Sequence, residues 1–318
     1  MAERRKFADQ MKFVDRRELA NRRKFKEAKH FGSIYLFMLP GLILFFLWTV
    51  YPILKVLQMS FYQWNILPGA KSVFLGFSNY IRAFSDPVFW IAVRNTFLYA
   101  MFTVPGQMAL GMVIALLLDQ QIKGRAFFRA AYYLPVITSW VVVSLLFLFL
   151  FNADVGLINF ILKDLLHVIK DNIAWLQNPA TAMAAIMLLG IWKGIGWCMV
   201  IFLAALQSIP AELYEAADID GAGGWQRLWR VTLPLLRPTL VFVSVMLFIG
   251  GFNVFISPLL LTGGEPLHQT EVLLLYMYRQ AFDFLDFGYG AALSYMLAIF
   301  IFIISFIQIR FLRSSVEY

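Results

Sequence analysis

Cysteine and histidine are scarce in this 318-residue sequence. The single cysteine, Cys198, excludes a disulfide within the chain and a cysteine-based zinc site, and the three histidines stand far apart with no HExxH-type pattern. The sequence also lacks the glycine-rich loop, GxxxxGK followed by Ser or Thr, that cradles nucleotide phosphates. We therefore expect no metal site, no bound cofactor and no ATPase activity in this chain.

Charged residues are also few, at 14% against about 25% in soluble domains, whereas hydrophobic residues make up 61%. One soluble core of this size cannot hide that much apolar surface, so lipid is the expected solvent for the excess. The net charge of +8 does not indicate nucleic-acid binding, because much of the basic charge lies in the first 30 residues, directly before a long apolar segment. Such a tail is typical of a segment held in the cytoplasm beside anionic lipid.

Six apolar segments are long enough to cross a hydrocarbon core of about 30 Å, which takes about 20 helical residues. Because the backbone must satisfy its own hydrogen bonds in lipid, these runs predict helices. We expect an all-α membrane protein with about six transmembrane helices, forming one domain at 32–318 after a cytoplasmic tail at 1–31. The basic residues between the spans favour a cytoplasmic location for both termini. The predicted spans are 34–54, 96–118, 134–151, 182–203, 240–261 and 291–311.

The most informative stretch is the predicted cytoplasmic loop at about 205–238, between the fourth and fifth spans. It contains Glu215-Ala216-Ala217, three residues, Gly221, nine residues, and then Val231-Thr232-Leu233-Pro234. Good helix formers lie on both sides of the glycines, so the composition predicts two short helices joined by a bend. Without its spacing, the stretch would fit an ordinary amphipathic connector at the membrane surface.

This spacing resembles the EAA loop of ABC importer permeases, in which EAA, three residues, Gly and nine residues precede Ile-x-Leu-Pro. A chance match in a chain of this length is expected on the order of once in 10⁵. The resemblance implies a type I ABC importer permease fold and a loop that docks on a separate ATPase subunit. We expect the two alanines to leave the helix surface bare for that partner, the glycine to supply the bend, and the glutamate to offer a carboxylate. The predicted ATPase-coupling residues are Glu215, Ala216, Ala217, Asp218 and Gly221.

Other segments resemble carbohydrate permeases of the type represented by the larger maltose permease and the A-type glycerol-3-phosphate permease. The similar segments are 61–64, 76–80, 95–96, 261–266, 276–282 and 286–288. The resemblance implies a permease subunit of a binding-protein-dependent, ATP-driven importer that moves a sugar, with a di- or oligosaccharide favoured. The implied location is the cytoplasmic membrane of a bacterium or archaeon. The implied partners are a second permease, two ATP-binding subunits that hold ATP and Mg, and an extracytoplasmic solute-binding protein.

Two stretches are candidates for the transport pathway. Lys193 lies midway along the fourth predicted span, where a charge is costly and usually faces a cavity or a partner. By resemblance, sugar contacts come from this stretch and from the fifth span. The predicted pathway residues are Gly190, Lys193, Gly194, Trp197, Gly250, Gly251 and Asn253. Two other interpretations stay open, namely that the glycines serve helix packing and that Lys193 pairs with a carboxylate or backbone carbonyl of the partner permease.

Alternative solutes and mechanisms also follow from the sequence. Glycerol 3-phosphate or an acidic sugar stays open beside a neutral sugar, because a lysine in a span does not decide between them. An ion-coupled secondary transporter usually carries Asp, Glu or His within its spans, and the six predicted spans contain none. An intramembrane enzyme is disfavoured because paired carboxylates, metal ligands and a Ser–His arrangement are all missing at membrane depth.

Overall fold

The computed structural model describes residues 37–66, 69 and 71–312. The predicted tail at 1–31 and the start of the first predicted span lie outside the described residues. The chain divides into two compact units between residues 58 and 59. Helix α1, Phe37–Ser60, begins in the first unit, contains a π-helical turn at Phe46–Val50, and is long and apolar enough to cross a membrane.

The second unit begins with two short antiparallel strands, β1 (Tyr62–Gln63) and β2 (Val73–Phe74). Helix α2 spans Ser78–Ser85, and α3 spans Pro87–Asp119. Asp86 caps the start of α3, where its Oδ1 accepts a hydrogen bond from the Val88 amide at 2.9 Å. Pro87 takes the first helical position, which needs no amide hydrogen, so the sequence Asp-Pro fixes where this long helix starts.

The third predicted span, 134–151, consists of two helices with a break between them. Helix α4 (Arg125–Ile137) and helix α5 (Trp140–Leu150) meet at a bend of 97°, which we call the elbow. Thr138 is extended there, and the Ser139 hydroxyl accepts from the Val141 amide at 3.3 Å to begin a new helix. Because the 11 residues of α5 rise only about 16 Å, the two helices together make one bent span.

The remaining helices follow in chain order. The bounds are α6 at Leu157–Asn159 with a π-helix at Phe160–Leu165, α7 at Pro179–Leu206, α8 at Ala211–Ile219, α9 at Gly224–Arg227 with continuations at Leu228–Thr232 and Leu233–Leu235, α10 at Arg237–Phe252, α11 at Ile256–Leu261, α12 at Leu273–Tyr278 with a π-turn at Arg279–Asp283, and α13 at Phe287–Leu312. Helices α1, α3 and α7, the stretch formed by α10 and α11, and helix α13 are each long and apolar enough to span. With the elbow pair as one span, the described residues agree with the six predicted.

Helices α3 and α7 form the most extensive helix pair of the second unit. They pack so closely that a Cβ added at Gly111 of α3 would lie 2.4 Å from the Cβ of Cys198 on α7. Cys198 is completely buried in an apolar cluster that includes Met112 and Phe202. This contact fixes the α7 backbone against α3 at membrane depth.

A hydrogen-bonded clamp joins the start of α3 to α12 and α13. Asp86 Oδ2 accepts from the hydroxyl of Tyr289 at 2.8 Å and from the hydroxyl of Tyr276. Burial acts to raise the pKa of Asp86, but hydrogen bonds from the two tyrosines and from the backbone outweigh it and hold the pKa below its usual value. Arg82 adds a 2.6 Å ion pair to Asp286 and lies 4.0 Å from the centre of the Tyr289 ring.

A second polar cluster holds the connection between α11 and α12. Glu271 is completely buried, accepts from Arg279 Nη1 at 2.8 Å, and lies 2.9 Å from His268 Nδ1. Burial raises the pKa of Glu271, although both neighbours act in the opposite direction. Asn95 of α3 donates to the Gln269 and Glu271 carbonyl oxygens at 2.8 and 2.9 Å, so this connection is fixed to the same helix end as the clamp.

We expect Asp86→Asn to weaken the clamp while keeping the helix cap, since asparagine caps helices as well as aspartate does. The loss should be roughly 1 kcal/mol, because hydrogen bonds to a charged group are replaced by neutral ones. A carboxyl with a lowered folded pKa stabilises the protein above its unfolded pKa of about 3.9 and loses that contribution as pH falls. The melting temperatures of wild type and variant in detergent should therefore differ at pH 7 and converge towards pH 3, and a difference independent of pH would contradict this account.

Candidate functional site

The predicted coupling loop is a helical hairpin at 211–235, here called the coupling hairpin. Helix α8 ends in a glycine-dependent turn, in which the Ala222 amide donates to the Ala217 carbonyl at 2.9 Å and the Gly221 amide to the Asp218 carbonyl at 3.0 Å. Gly221 has a φ of +75°, the left-handed conformation that this helix ending requires. The bend that the sequence predicts at Gly221 is therefore present, and its cause is the backbone conformation.

Side chains tie the two arms of the coupling hairpin together. Arg227 Nη1 donates to both carboxylate oxygens of Asp218, at 2.7 and 3.1 Å. The Tyr214 hydroxyl lies 3.2 Å from the hydroxyl of Thr232, which is buried. These contacts join the middle and the end of α8 to the second arm, so the exposed Asp218 carboxylate is paired within the hairpin.

The two alanines of the motif differ in exposure, which corrects the expectation that both leave the surface bare. Ala217 is only 9% exposed and is the buried residue of α8, whereas Glu215 and Ala216 are exposed. Successive helical positions face directions 100° apart, so Ala217 can be buried while its neighbour Ala216 is exposed. The exposed surface also includes Ile219 at 87% and Trp225 at 71%.

A cavity of about 400 Å³ lies among α3, the start of α5, and the junction of α10 with α11; we call it the pathway cavity. The fifth span is interrupted there, because α10 ends at Phe252 and α11 begins at Ile256. Three predicted pathway residues, Gly250, Gly251 and Asn253, line this cavity. The other lining residues are Tyr99, Gln107, Trp140, Met246, Leu247, Val254, Phe255, Ile256 and Ser257.

The predicted pathway glycines of α7 lie behind side chains that line the pathway cavity. A Cβ added at Gly190 would lie 2.2 Å from the Tyr99 hydroxyl, and one at Gly194 would lie 2.2 Å from Gln107 Oε1. Gln107 Nε2 also donates to the Gly190 carbonyl at 3.1 Å. Both glycines therefore make room for polar side chains of α3 that line the cavity.

Lys193 is buried at the elbow and does not line the pathway cavity. Its ammonium donates to the carbonyl oxygens of Pro135 and Thr138, each at 2.7 Å, and lies 4.8 Å from the centre of the Trp140 ring. Carbonyl groups at the end of a helix have no partner within it, and the negative end of the helix dipole favours a cation. Lys193 therefore supplies the hydrogen bonds that the broken span lacks, using carbonyl groups of its own chain.

Trp197 and several cavity residues differ from the sequence-based picture. Trp197 packs beside the apolar cluster of Met112 and Phe202, on α7 four residues after Lys193. The sequence prediction missed Tyr99, Gln107, Trp140, Phe255 and Ser257 as lining residues. Gln107 and Ser257 could have been predicted from the sequence, because each is an uncharged polar residue inside an apolar span.

Comparison with protein families agrees with these features. Residues 107–314 match the family model described as "Binding-protein-dependent transport system inner membrane component". The sulfoquinovosyl glycerol transport system permease protein SmoG of Agrobacterium fabrum is 34% identical over 280 residues, covering 88% of this chain and 90% of that protein. The arabinooligosaccharides transport system permease protein AraP of Bacillus subtilis is 36% identical over 279 residues, covering 87% of each.

A solved structure has the same fold over almost the whole chain. A chain of a bacterial alginate ABC transporter, in complex with an alginate pentasaccharide-bound periplasmic protein, superposes with a TM-score of 0.79. It is 25% identical, and the match covers 91% of this chain and 96% of that one.

We expect Lys193→Met to destabilise the elbow, because methionine has a similar length but leaves the carbonyls of Pro135 and Thr138 without a donor. Each buried group without a partner costs about 1–3 kcal/mol, so the melting temperature in detergent should fall clearly and amides near the elbow should exchange faster. Lys163→Met is the control, since Lys163 donates to Asn172 in an exposed contact. Equal stability of the two variants would contradict the role given to Lys193.

The alanines of the coupling hairpin give a matched pair of variants. Ala217→Leu should overpack the buried side of α8 at a cost of roughly 1–3 kcal/mol and speed amide exchange in 214–232. Ala216→Leu adds the same side chain one position earlier, at an exposed site, and should leave exchange unchanged. The reverse order would show that the buried face of α8 is assigned wrongly.

Proposed function

This chain belongs to the family of inner membrane components of binding-protein-dependent transport systems, and we propose that it helps to import a sugar at the expense of ATP hydrolysed on separate subunits. The observation that carries the mechanical part of this proposal is the coupling hairpin. It is internally cross-linked and presents an exposed carboxylate and exposed apolar side chains. The contacts between its two arms would help the hairpin to keep its conformation when a partner subunit moves against it.

In the proposed complex, one of two ATP-binding subunits docks on the coupling hairpin of this chain. Glu215 and Ala216 form its exposed surface, while Ala217, Asp218 and Gly221 maintain the hairpin that presents them. Helix α7 leads into the hairpin, and α10 leaves it to end at the pathway cavity. Movement of the hairpin would therefore reach the cavity through two covalently attached helices.

The pathway cavity is the proposed passage for the solute on this side of the complex. Gly250, Gly251 and Asn253 would face the solute, while Gly190, Lys193, Gly194 and Trp197 support the wall behind it. A sugar is favoured because relatives are named for sulfoquinovosyl glycerol and arabinooligosaccharides, and the solved transporter was obtained with an alginate-bound partner. The family match and the named relatives leave glycerol 3-phosphate and acidic sugars as alternative solutes.

The remaining partners follow from the same proposal. A second, homologous permease would complete the pathway, and an extracytoplasmic solute-binding protein would deliver the sugar at the end opposite the coupling hairpin. Both termini would lie in the cytoplasm of a bacterium or archaeon. Purification of the tagged chain from its native membrane in mild detergent tests this assembly, because an ATP-binding protein and a second permease should be recovered with it. Isolation of the chain alone in every detergent would contradict the proposal.

We expect Glu215→Lys to reduce sugar uptake and stimulated ATPase activity at least about tenfold, because a cation would replace the carboxylate offered to the ATP-binding subunit. Asp164→Lys is the control, since Asp164 is also exposed on a short helix, Phe160–Leu165, that is not part of the coupling hairpin. Both variants should reach the membrane at normal levels and have the same melting temperature. Equal uptake by the two variants would exclude a specific coupling role for Glu215.

A further inference from the structure

We propose that the wall of the pathway contributed by this chain is selective for uncharged saccharides over anionic ones. The inference rests on the proposed function, sugar import through the pathway cavity, and it decides between the solutes that this function leaves open. It is carried by two observations, the chemistry of the lining and the engagement of Lys193.

Among the described residues, those that line the pathway cavity carry no charged side chain. The polar ones are Tyr99, Gln107, Asn253 and Ser257, which offer hydroxyl and amide groups. Trp140 and Phe255 add aromatic side chains. Hydroxyls and amides pair with sugar hydroxyls, which donate and accept at once, and aromatic faces suit the apolar faces of sugar rings.

Two of these polar groups have unused hydrogen-bonding capacity. Ser257 is completely buried, and its Oγ has no hydrogen-bond partner within the described part of the chain. Asn253 donates through Nδ2 to the Ile249 carbonyl at 2.8 Å, which leaves its Oδ1 as an acceptor at an exposed position. The exposed Asn253 Oδ1 can therefore accept from a solute hydroxyl directly, whereas the buried Ser257 Oγ would need its neighbours to move before a solute could reach it.

The one cation among the predicted pathway residues, Lys193, already forms hydrogen bonds within the chain. Its side chain is 95% buried, two carbonyl oxygens lie 2.7 Å from its ammonium, and the Trp140 ring covers it from another side. Turning the ammonium towards a carboxylate or phosphate would break both hydrogen bonds and leave the two carbonyl groups of the elbow without a donor. An anionic solute would therefore meet no counter-charge on this wall, and an ion without a counter-charge is disfavoured where water is partly excluded.

The test uses the complete transporter with its binding protein, in membrane vesicles, and labelled neutral and anionic probes. The neutral probes are maltotriose and arabinotriose, and the anionic probes are trigalacturonate and glycerol 3-phosphate. We expect ATP-dependent uptake of a neutral probe and at least about tenfold slower uptake of both anions. Preferred uptake of an anion would overturn the inference but would still agree with the proposed function as an importer. Uptake of none of the four, although the binding protein retains at least one of them, would contradict the proposed function itself.

Charge variants separate this wall from the selectivity of the binding protein. Asn253→Lys and Asn253→Asp should both slow uptake of the accepted probe, since either charge would be unpaired against an uncharged sugar. A solute that carries negative charge would instead tolerate lysine and reject aspartate, and that dependence on sign would overturn the inference. Gln120→Lys is the control, because Gln120 is exposed at the end of α3 and does not line the cavity.

Discussion

At the elbow of the third span, the Lys193 ammonium occupies the place where a continuous helix would have supplied backbone amides. Lipid offers no water to satisfy the carbonyl groups exposed by a break, so a broken span persists only where protein groups replace the missing donors. Lys193 does so from the middle of α7, and Gly196 allows the approach, since a Cβ there would lie 2.1 Å from the Tyr132 carbonyl oxygen. The bend in turn brings Trp140 to the pathway cavity.

The elbow, the pathway cavity and the coupling hairpin share two helices. Helix α7 supports the elbow and the cavity wall along its length and then leads into the hairpin at Ala211. Helix α10 starts two residues after the hairpin and ends at Phe252, just before the interruption of the fifth span at Asn253. In the proposed mechanism, force applied to the hairpin acts on α10, whose end lines the cavity, and on α7, which lies behind the side chains of the cavity wall.

Length and hydropathy predicted the spans well, because every transmembrane helix needs about 20 apolar residues to cross the hydrocarbon core. The spacing of Glu215, Gly221 and Pro234 likewise predicted the hairpin, since its glycine has a specific backbone role. The elbow was missed because an apolar run looks the same whether it is straight or bent, and the donor that stabilises the break lies 55 residues away in sequence. For the same reason Lys193 was assigned to the pathway, and Tyr99 and Trp140 were not, because three-dimensional packing decides which side chains face a cavity.

The most direct test of this account is the distance across the elbow in the assembled transporter, measured by double electron–electron resonance. Spin labels at positions 127 and 149, both exposed, flank the break on α4 and α5 in a Cys198→Ser background. With a rise of 1.5 Å per residue, a 97° bend places these backbone positions about 22 Å apart, whereas a straight span places them about 33 Å apart. The account predicts the shorter distance, and a distribution centred near the longer one would contradict it.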